Sequence, residues 1–356
     1  MKHYPAIIFL AFLISSCSSV PDIAYRLPPK NLDKYHPEIY TIEINDKGQF
    51  HSKEQLETFR RGIDGNNIQV VAFIHGWHHN ASFHDDNYNE FKKFVSQYSK
   101  TIKSKNTNKR VVGLYIGWRG DSIKSIFDPV TDVISDFWTI WGRKNTSVTV
   151  GENAVREVIS DVKASMGREG NSAVIIGHSL GGSVLLNAIK NSFIQDDEMR
   201  NKLTYILLNP AISSAEYDSA VTSQLSLEKR KPLLITMQSN KDTAVNWAFR
   251  IAYLKSPVGF DGGLITHDMW ACDPNDIACM KMLKKKLSMN KCAIDFNHES
   301  WFVDARDDNG RRARSCEDAS RRVDWVIDAR HTISSGHNSI LTDAEVGALS
   351  ELINGK

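Results

Sequence analysis

Short apolar runs with no polar alternation recur along the chain, at Tyr40 to Ile44, Val70 to Ile74, Val111 to Ile116, Ala173 to Ile176, Tyr205 to Leu208, Leu233 to Met237 and Val323 to Ile327. A strand that is apolar on both sides is buried on both faces, which is the condition of a parallel sheet covered by helices. Between these runs, segments 88–98, 152–166, 181–191, 244–254 and 343–353 return their apolar residues at helical spacing. In the second of them Val155, Val158, Ile159 and Val162 make a single stripe. Asp343, directly after Thr342, is placed to cap the last. Strands alternating with helices predict an open, mostly parallel α/β sheet with helices on both faces, formed by one domain over residues 38–356.

Two stretches break the rhythm and are expected to be insertions. Residues 119–144 hold Phe127, Phe137, Trp138 and Trp141 between a strand and the next helix. These aromatics either line or cover a pocket, or pack the insertion onto the core. Residues 257–322 precede the last strand and contain Cys272, Cys279, Cys292 and Cys316. They also contain a basic run in which Lys284, Lys285 and Lys286 stand beside Met282, Leu283 and Leu287. That run reads as a solvated helix face or as a contact with anionic lipid head groups.

The first 16 residues lie outside the fold. A basic start at Lys2 and His3 is followed by an uncharged apolar run from Ala6 to Ile14, too short for a permanent span and suited to a secretory signal. The run stops at Ile14-Ser15-Ser16-Cys17, which resembles a bacterial lipobox. By that resemblance Cys17 is lipidated and becomes the first residue of the mature chain. Ser18 after it, rather than aspartate, implies the outer membrane of a Gram-negative envelope. Residues 17–37, rich in Ser, Pro, Lys and Asn, read as the tether.

Composition agrees with a folded body: 41% of residues are apolar and 24% charged. The net charge of +2 gives no electrostatic reason to expect a nucleic-acid partner. Once Cys17 is set aside, an even set of four cysteines remains, as expected for disulfides in an oxidising compartment. Proximity along the chain favours Cys272–Cys279 and Cys292–Cys316 among the three pairings. A zinc site lacks its usual Cys-x-x-Cys pair.

The chemistry concentrates at Gly177-His178-Ser179-Leu180-Gly181, a G-x-S-x-G pattern. Chance alone supplies about 0.1 such matches in a chain of this length, but here an apolar strand enters the motif and a helix-compatible segment leaves it. A nucleophile elbow needs that context, with Ser179 held at a helix N-terminus where developing negative charge is favoured. A tetrahedral intermediate also needs two N–H donors. Leu180 supplies one, and the turn after Val70 to Ile74, which reads His75-Gly76-Trp77, stands where the second is required.

On these motifs the chain resembles the α/β-hydrolase superfamily of serine hydrolases, of the esterase/lipase type, over roughly residues 68–250 and 320–356. The segment HGWHHNAS, with Asp86, Asn87 and GWRG at 117–120, looks like a less characterised bacterial and fungal branch. The resemblance implies an α/β-hydrolase fold and Trp77 as the second oxyanion donor, although Trp77 and His78 stand where lipases carry glycines. It also implies an acid after the penultimate strand and a histidine after the last. Asp242 in Gln238-Ser239-Asn240-Lys241-Asp242 fits the first role, with Asp328 in reserve and a helix cap as its plain alternative. His337 fits the second, because Gly336 permits a sharp turn, with His331 as competitor.

The expected activity is hydrolysis of carboxylic esters, lipid or short-chain, through an acyl-enzyme and without cofactor or metal. The cluster His75, His78, His79, His84, Asp85 and Asp86 lacks a helical ligand spacing. Amide or thioester hydrolysis by the same triad, and an idle binding lipoprotein of the same fold, are the competing expectations.

Overall fold

The computed structural model describes residues 38–77, 79–104, 108–119, 142–192, 201–221 and 233–238, and the shorter pieces 18–19, 23–26, 123–124, 199, 265–271, 281, 294–295, 301–307 and 324–328. Ten strands form the main sheet: β1 (Glu38–Ile44), β2 (Ile68–Ile74), β3 (Arg110–Trp118), β4 (Ser172–His178), β5 (Leu203–Leu208), β6 (Leu234–Gln238), β7 (Ile265–Ala271), β8 (Ile294–Asp295), β9 (Trp301–Asp307) and β10 (Asp324–Asp328). Their order is β8-β9-β7-β10-β6-β5-β4-β2-β3-β1. Every neighbouring pair from β1 across to β7 is parallel. Strands β9 and β8 close the far edge antiparallel.

All seven residues of β2 are buried, as a strand covered on both faces requires. Successive residues feed two cores. Val70, Ala72, Ile74, Leu114, Ala173, Ile175, Tyr205 and Leu207 belong to one. Val71, Phe73, Tyr115, Val174, Ile176, Ile206 and Leu208 belong to the other. The first is covered by α1 (Lys53–Gly62), by the helical stretch 142–165, here α3, and by α4 (Leu180–Ile189). The second lies under α2 (Asp86–Ser104), through Tyr88, Phe91, Phe94, Val95, Tyr98 and Ile102. A short α5 (Ser214–Val221) follows β5.

The structure differs from the sequence pattern in four places. Helix α1 has only a narrow apolar stripe, Leu56 and Phe59 among its buried residues, and starts at Ser52, whose hydroxyl accepts the Gln55 N–H. Helix α3 begins ten residues earlier than expected and passes through a π-turn at Gly151–Val155. There a Cβ on Gly151 would lie 2.4 Å from the Val184 carbonyl oxygen, so its glycine is what lets α3 approach α4. Segment 257–322, expected as an insertion on the domain that interrupts the sheet pattern, supplies β7, β8 and β9 to the sheet. Within the stretch expected to be a tether, residues 23–26 are docked on the body: the Tyr25 and Arg26 N–H groups donate to the Glu43 carboxylate at 2.6 and 2.8 Å.

Candidate active site

Strand β4 ends at His178, and the chain turns so sharply into α4 that Ser179 takes φ 53° and ψ −120°. An L-residue reaches that conformation only at a cost of about 1–3 kcal/mol, and the surrounding backbone maintains it. The Ser179 N–H donates to the Leu208 carbonyl at 3.0 Å, while the Ser179 carbonyl accepts from the Gly182 and Ala211 N–H groups, both at 3.0 Å.

The motif's glycines have separate steric reasons. A Cβ on Gly177 would lie 2.6 Å from the Gly181 carbonyl oxygen, and one on Gly181 would lie 2.2 Å from the Ile74 carbonyl oxygen. Gly182 faces Pro210, whose Cβ would be 2.8 Å away. The turn after β2 closes on the same point, because a Cβ on Gly76 would lie 2.9 Å from Ser179 Cβ. The chain therefore brings the Gly76-Trp77 turn against His178 and Ser179, while Trp77 packs on the core.

His75 fixes that turn. It is fully buried, and its Nε2 accepts the Trp118 backbone N–H at 3.0 Å, which leaves the proton on Nδ1 to donate to the Gly76 carbonyl at 2.9 Å. The His75 carbonyl accepts the Trp118 indole N–H at 2.9 Å, and the imidazole stacks on the Trp118 and Tyr115 rings. Burial pushes the His75 pKa down to about 4. An unfolded chain takes up this proton near pH 6.5, so stability falls as pH drops from there toward 4, where the folded form also protonates. The expected loss between pH 7 and pH 4.5 is about 2 kcal/mol. Urea midpoints should show that slope in the wild type and a flatter one in His75→Gln, which will also be less stable at neutral pH.

The neighbouring polar residues serve the loop. Asp85 caps α2: one carboxylate oxygen accepts the Tyr88 N–H at 3.1 Å, and the other accepts the Asn80 N–H at 3.0 Å and lies 3.2 Å from His79 Nδ1. Burial pushes the Asp85 carboxyl up, but the His79 contact, the charges of His75 and His79 and the Asn80 N–H together hold it below the usual range. Among the described residues no group of three or more His, Cys, Asp or Glu side chains is placed to hold a metal ion.

Two features were not anticipated from sequence. The buried Lys144 ammonium donates to Ser183 Oγ at 2.8 Å, to Glu216 at 3.1 Å and to the Ala211 carbonyl at 3.4 Å, tying α3 to the elbow helix and to the loop that holds the Ser179 carbonyl. Burial pulls the Lys144 pKa down, against the opposing pull of Glu216. Asn209, immediately after β5, has φ 40° and a fully buried amide with neither polar atom bonded. An Asn-Pro step directly after an apolar run is a turn signal that would have marked this position.

Of the residues expected to complete the site, Asp242, His337 and His331 lie outside the described residues. So do His78, Cys17, Cys272, Cys279, Cys292 and Cys316, and the aromatics Phe127, Phe137, Trp138 and Trp141. Asp328 is the last residue of β10, at the same carboxyl edge of the sheet as Ser179.

A mostly parallel sheet covered by helices, with a strained serine between a strand and a helix, defines an α/β hydrolase. Residues 51–253, more than half of the chain, match the family described as "Alpha/beta hydrolase of unknown function (DUF900)", and the chain belongs to that family. No curated protein matches it. Among solved structures it is similar to the phospholipase PlaB from Legionella pneumophila in complex with thio-NAD, at 13% identity and a TM-score of 0.35, covering 80% of this chain and 58% of that one. A second structure of PlaB gives 12% identity and a TM-score of 0.32, with 81% and 60% covered. The chain thus spans less than two thirds of the length of this neighbour.

Proposed function

We propose that the protein is a serine hydrolase of carboxylic esters, carried on the cell envelope by a lipid on Cys17. The observation that carries the reading is the backbone of Ser179, forced to φ 53° with the Gly76-Trp77 turn pressed against it. Strain of this kind persists only where the surroundings over-determine it, and it clusters where a reacting group must be presented.

In this reading His337, oriented by Asp242, takes the proton from Ser179 Oγ as the oxygen attacks the ester carbonyl. The carbonyl oxygen becomes an oxyanion held by the Leu180 and Trp77 N–H groups. Collapse breaks the bond to the alcohol oxygen, which leaves with the proton from His337. Water, deprotonated by the same histidine, then attacks the acyl-serine carbonyl; collapse breaks the bond to Ser179 Oγ, which takes that proton back from His337, and the acid leaves. Disulfides Cys272–Cys279 and Cys292–Cys316 fit the oxidising compartment that export would provide.

A fluorophosphonate probe tests the nucleophile, since it is expected to add one covalent phosphonyl group at Ser179. Absence of labelling on the folded chain would overturn the reading. The base is tested by turnover of a short-chain ester. His337→Ala is expected to lose about 10³-fold or more and His331→Ala to stay within about tenfold of wild type. The reverse order would move the base to His331.

A further inference from the structure

Among the described residues, the exposed large hydrophobic side chains are Ile23, at 56% exposure, and Phe83, at 67%. They come from distant parts of the sequence, and the link between their segments is Arg26, three residues after Ile23, whose side chain lies over Phe83. The Arg26 guanidinium lies 4.2 Å above the Phe83 ring and 3.4 Å above the Tyr88 ring, and it donates to the Ala81 and Ser82 carbonyls at 2.5 and 3.0 Å. The Gln55 side-chain amide donates to the Arg26 carbonyl at 2.8 Å and to Glu43 at 3.0 Å, completing the clamp on residues 25–26.

This clamp sits at the carboxyl edge of the sheet. Glu43 is paired with Gly117 near the ends of β1 and β3, and a Cβ on Gly117 would touch Ala81 at 2.7 Å. Ser179 and the Gly76-Trp77 turn stand on that same edge, after β4 and β2. Ser18–Ser19, directly after Cys17, pair with Ile123–Lys124, just beyond the end of β3. From Cys17 to Ile23 the chain can reach at most about 20 Å. The opposite edge, where β2 and β3 begin, presents Arg60, Arg61, Asp64, Asp161 and Arg168. Among the described residues no helix is long and apolar enough to cross a membrane.

We propose that the carboxyl edge of the sheet is a bilayer-facing surface. Ile23 and Phe83 rest at the head-group boundary beside the acyl chains on Cys17, and the sheet edge that carries Ser179 turns toward the lipid. The lipid on Cys17 anchors the chain at one point and does not by itself set its orientation, so an apolar contact of the body fixes which edge meets the membrane. The proposal rests on the lipidation and hydrolase readings above, and it names the substrate class as a membrane-lipid ester.

The test uses the full lipidated chain, reconstituted in phosphatidylethanolamine–phosphatidylglycerol vesicles that contain a diazirine-bearing acyl chain. After illumination, mass spectrometry should find labelling of peptides 20–27 and 79–88 in excess of peptides 60–65 and 161–168 by about fivefold or more. The double variant Ile23→Asp, Phe83→Asp should lose that excess. Equal labelling of the two edges in the wild type, or an excess on the charged edge, overturns the proposal even if the variant fails to fold. An N-terminal peptide without acyl mass on a chain that leaves the vesicles unlabelled overturns it as well. Labelling of the carboxyl edge on a chain whose Ser179 ignores the fluorophosphonate supports the orientation and removes only the hydrolase reading.

Discussion

Replacing Ser179 by alanine is expected to abolish fluorophosphonate capture and to lower ester turnover by about 10⁴-fold or more, with little change in stability. The three backbone hydrogen bonds that hold the elbow run from the Ser179 N–H to Leu208 and from Gly182 and Ala211 to the Ser179 carbonyl, so none of them uses the hydroxyl. The backbone frame of the elbow is kept in Ser179→Ala, and its urea midpoint is expected to correspond to wild-type stability within about 1 kcal/mol. Ser179→Gly should be equally inactive yet more stable by about 1 kcal/mol, because glycine adopts φ 53° without steric cost. A rise in stability joined to a loss of activity is the signature of strain kept for chemistry. Residual turnover near the wild-type rate in Ser179→Ala would place the nucleophile elsewhere.

The largest loss of stability is expected at Gly181. A Cβ there would meet the Ile74 carbonyl oxygen at 2.2 Å and the His75 carbonyl oxygen at 2.5 Å. Both obstacles are backbone atoms, at the end of β2 and in the turn pinned by Trp118, so no side-chain rotation relieves the clash. Gly181→Ala should cost about 3 kcal/mol or more and displace the Gly76-Trp77 turn, lowering turnover in whatever fraction remains folded. Gly65→Ala is the control: its Cβ would meet nothing closer than the Ile68 Cδ1 at 3.5 Å. It should change stability by no more than about 0.5 kcal/mol. Urea denaturation of the two variants side by side decides the matter.

What the sequence disclosed follows from how locally each feature is encoded. β2, β4 and β5 are legible because burial on both faces makes them continuous apolar runs. Ser179 is legible because strand, turn and helix lie within one short segment. β7 and β9 are not, since Asp268, Asp304 and Arg306 interrupt any apolar run, and β9 pairs only with strands of the sheet's antiparallel edge. The beginning of α3 was hidden by Gly142 and by the β-branched Thr146, Val148 and Thr149, residues that lower helix propensity where packing against α4 overrides it. Arg26 with Ala81, and Lys144 with Glu216, join residues 55 and 72 positions apart, and no local pattern signals such pairs. His75 was visible as a residue but not as the pin of the turn, because its role depends on Trp118, 43 positions away.

The placement of β10 between β6 and β7 bears on how the chain is made. Strand β6 stops at Gln238 and its partner does not begin until Asp324, so a nascent chain carries two unzipped, hydrogen-bond-hungry ribbons until residues 324–328 have emerged. Closing that gap demands a pairing between remote stretches, a slow event in folding. Ribosomal products that end prematurely before this strand would keep both ribbons open to neighbouring molecules and would tend to aggregate. A holdase that shields them during biogenesis is the natural remedy, and chaperone depletion should reduce the yield of this protein more than that of one whose central strands are consecutive.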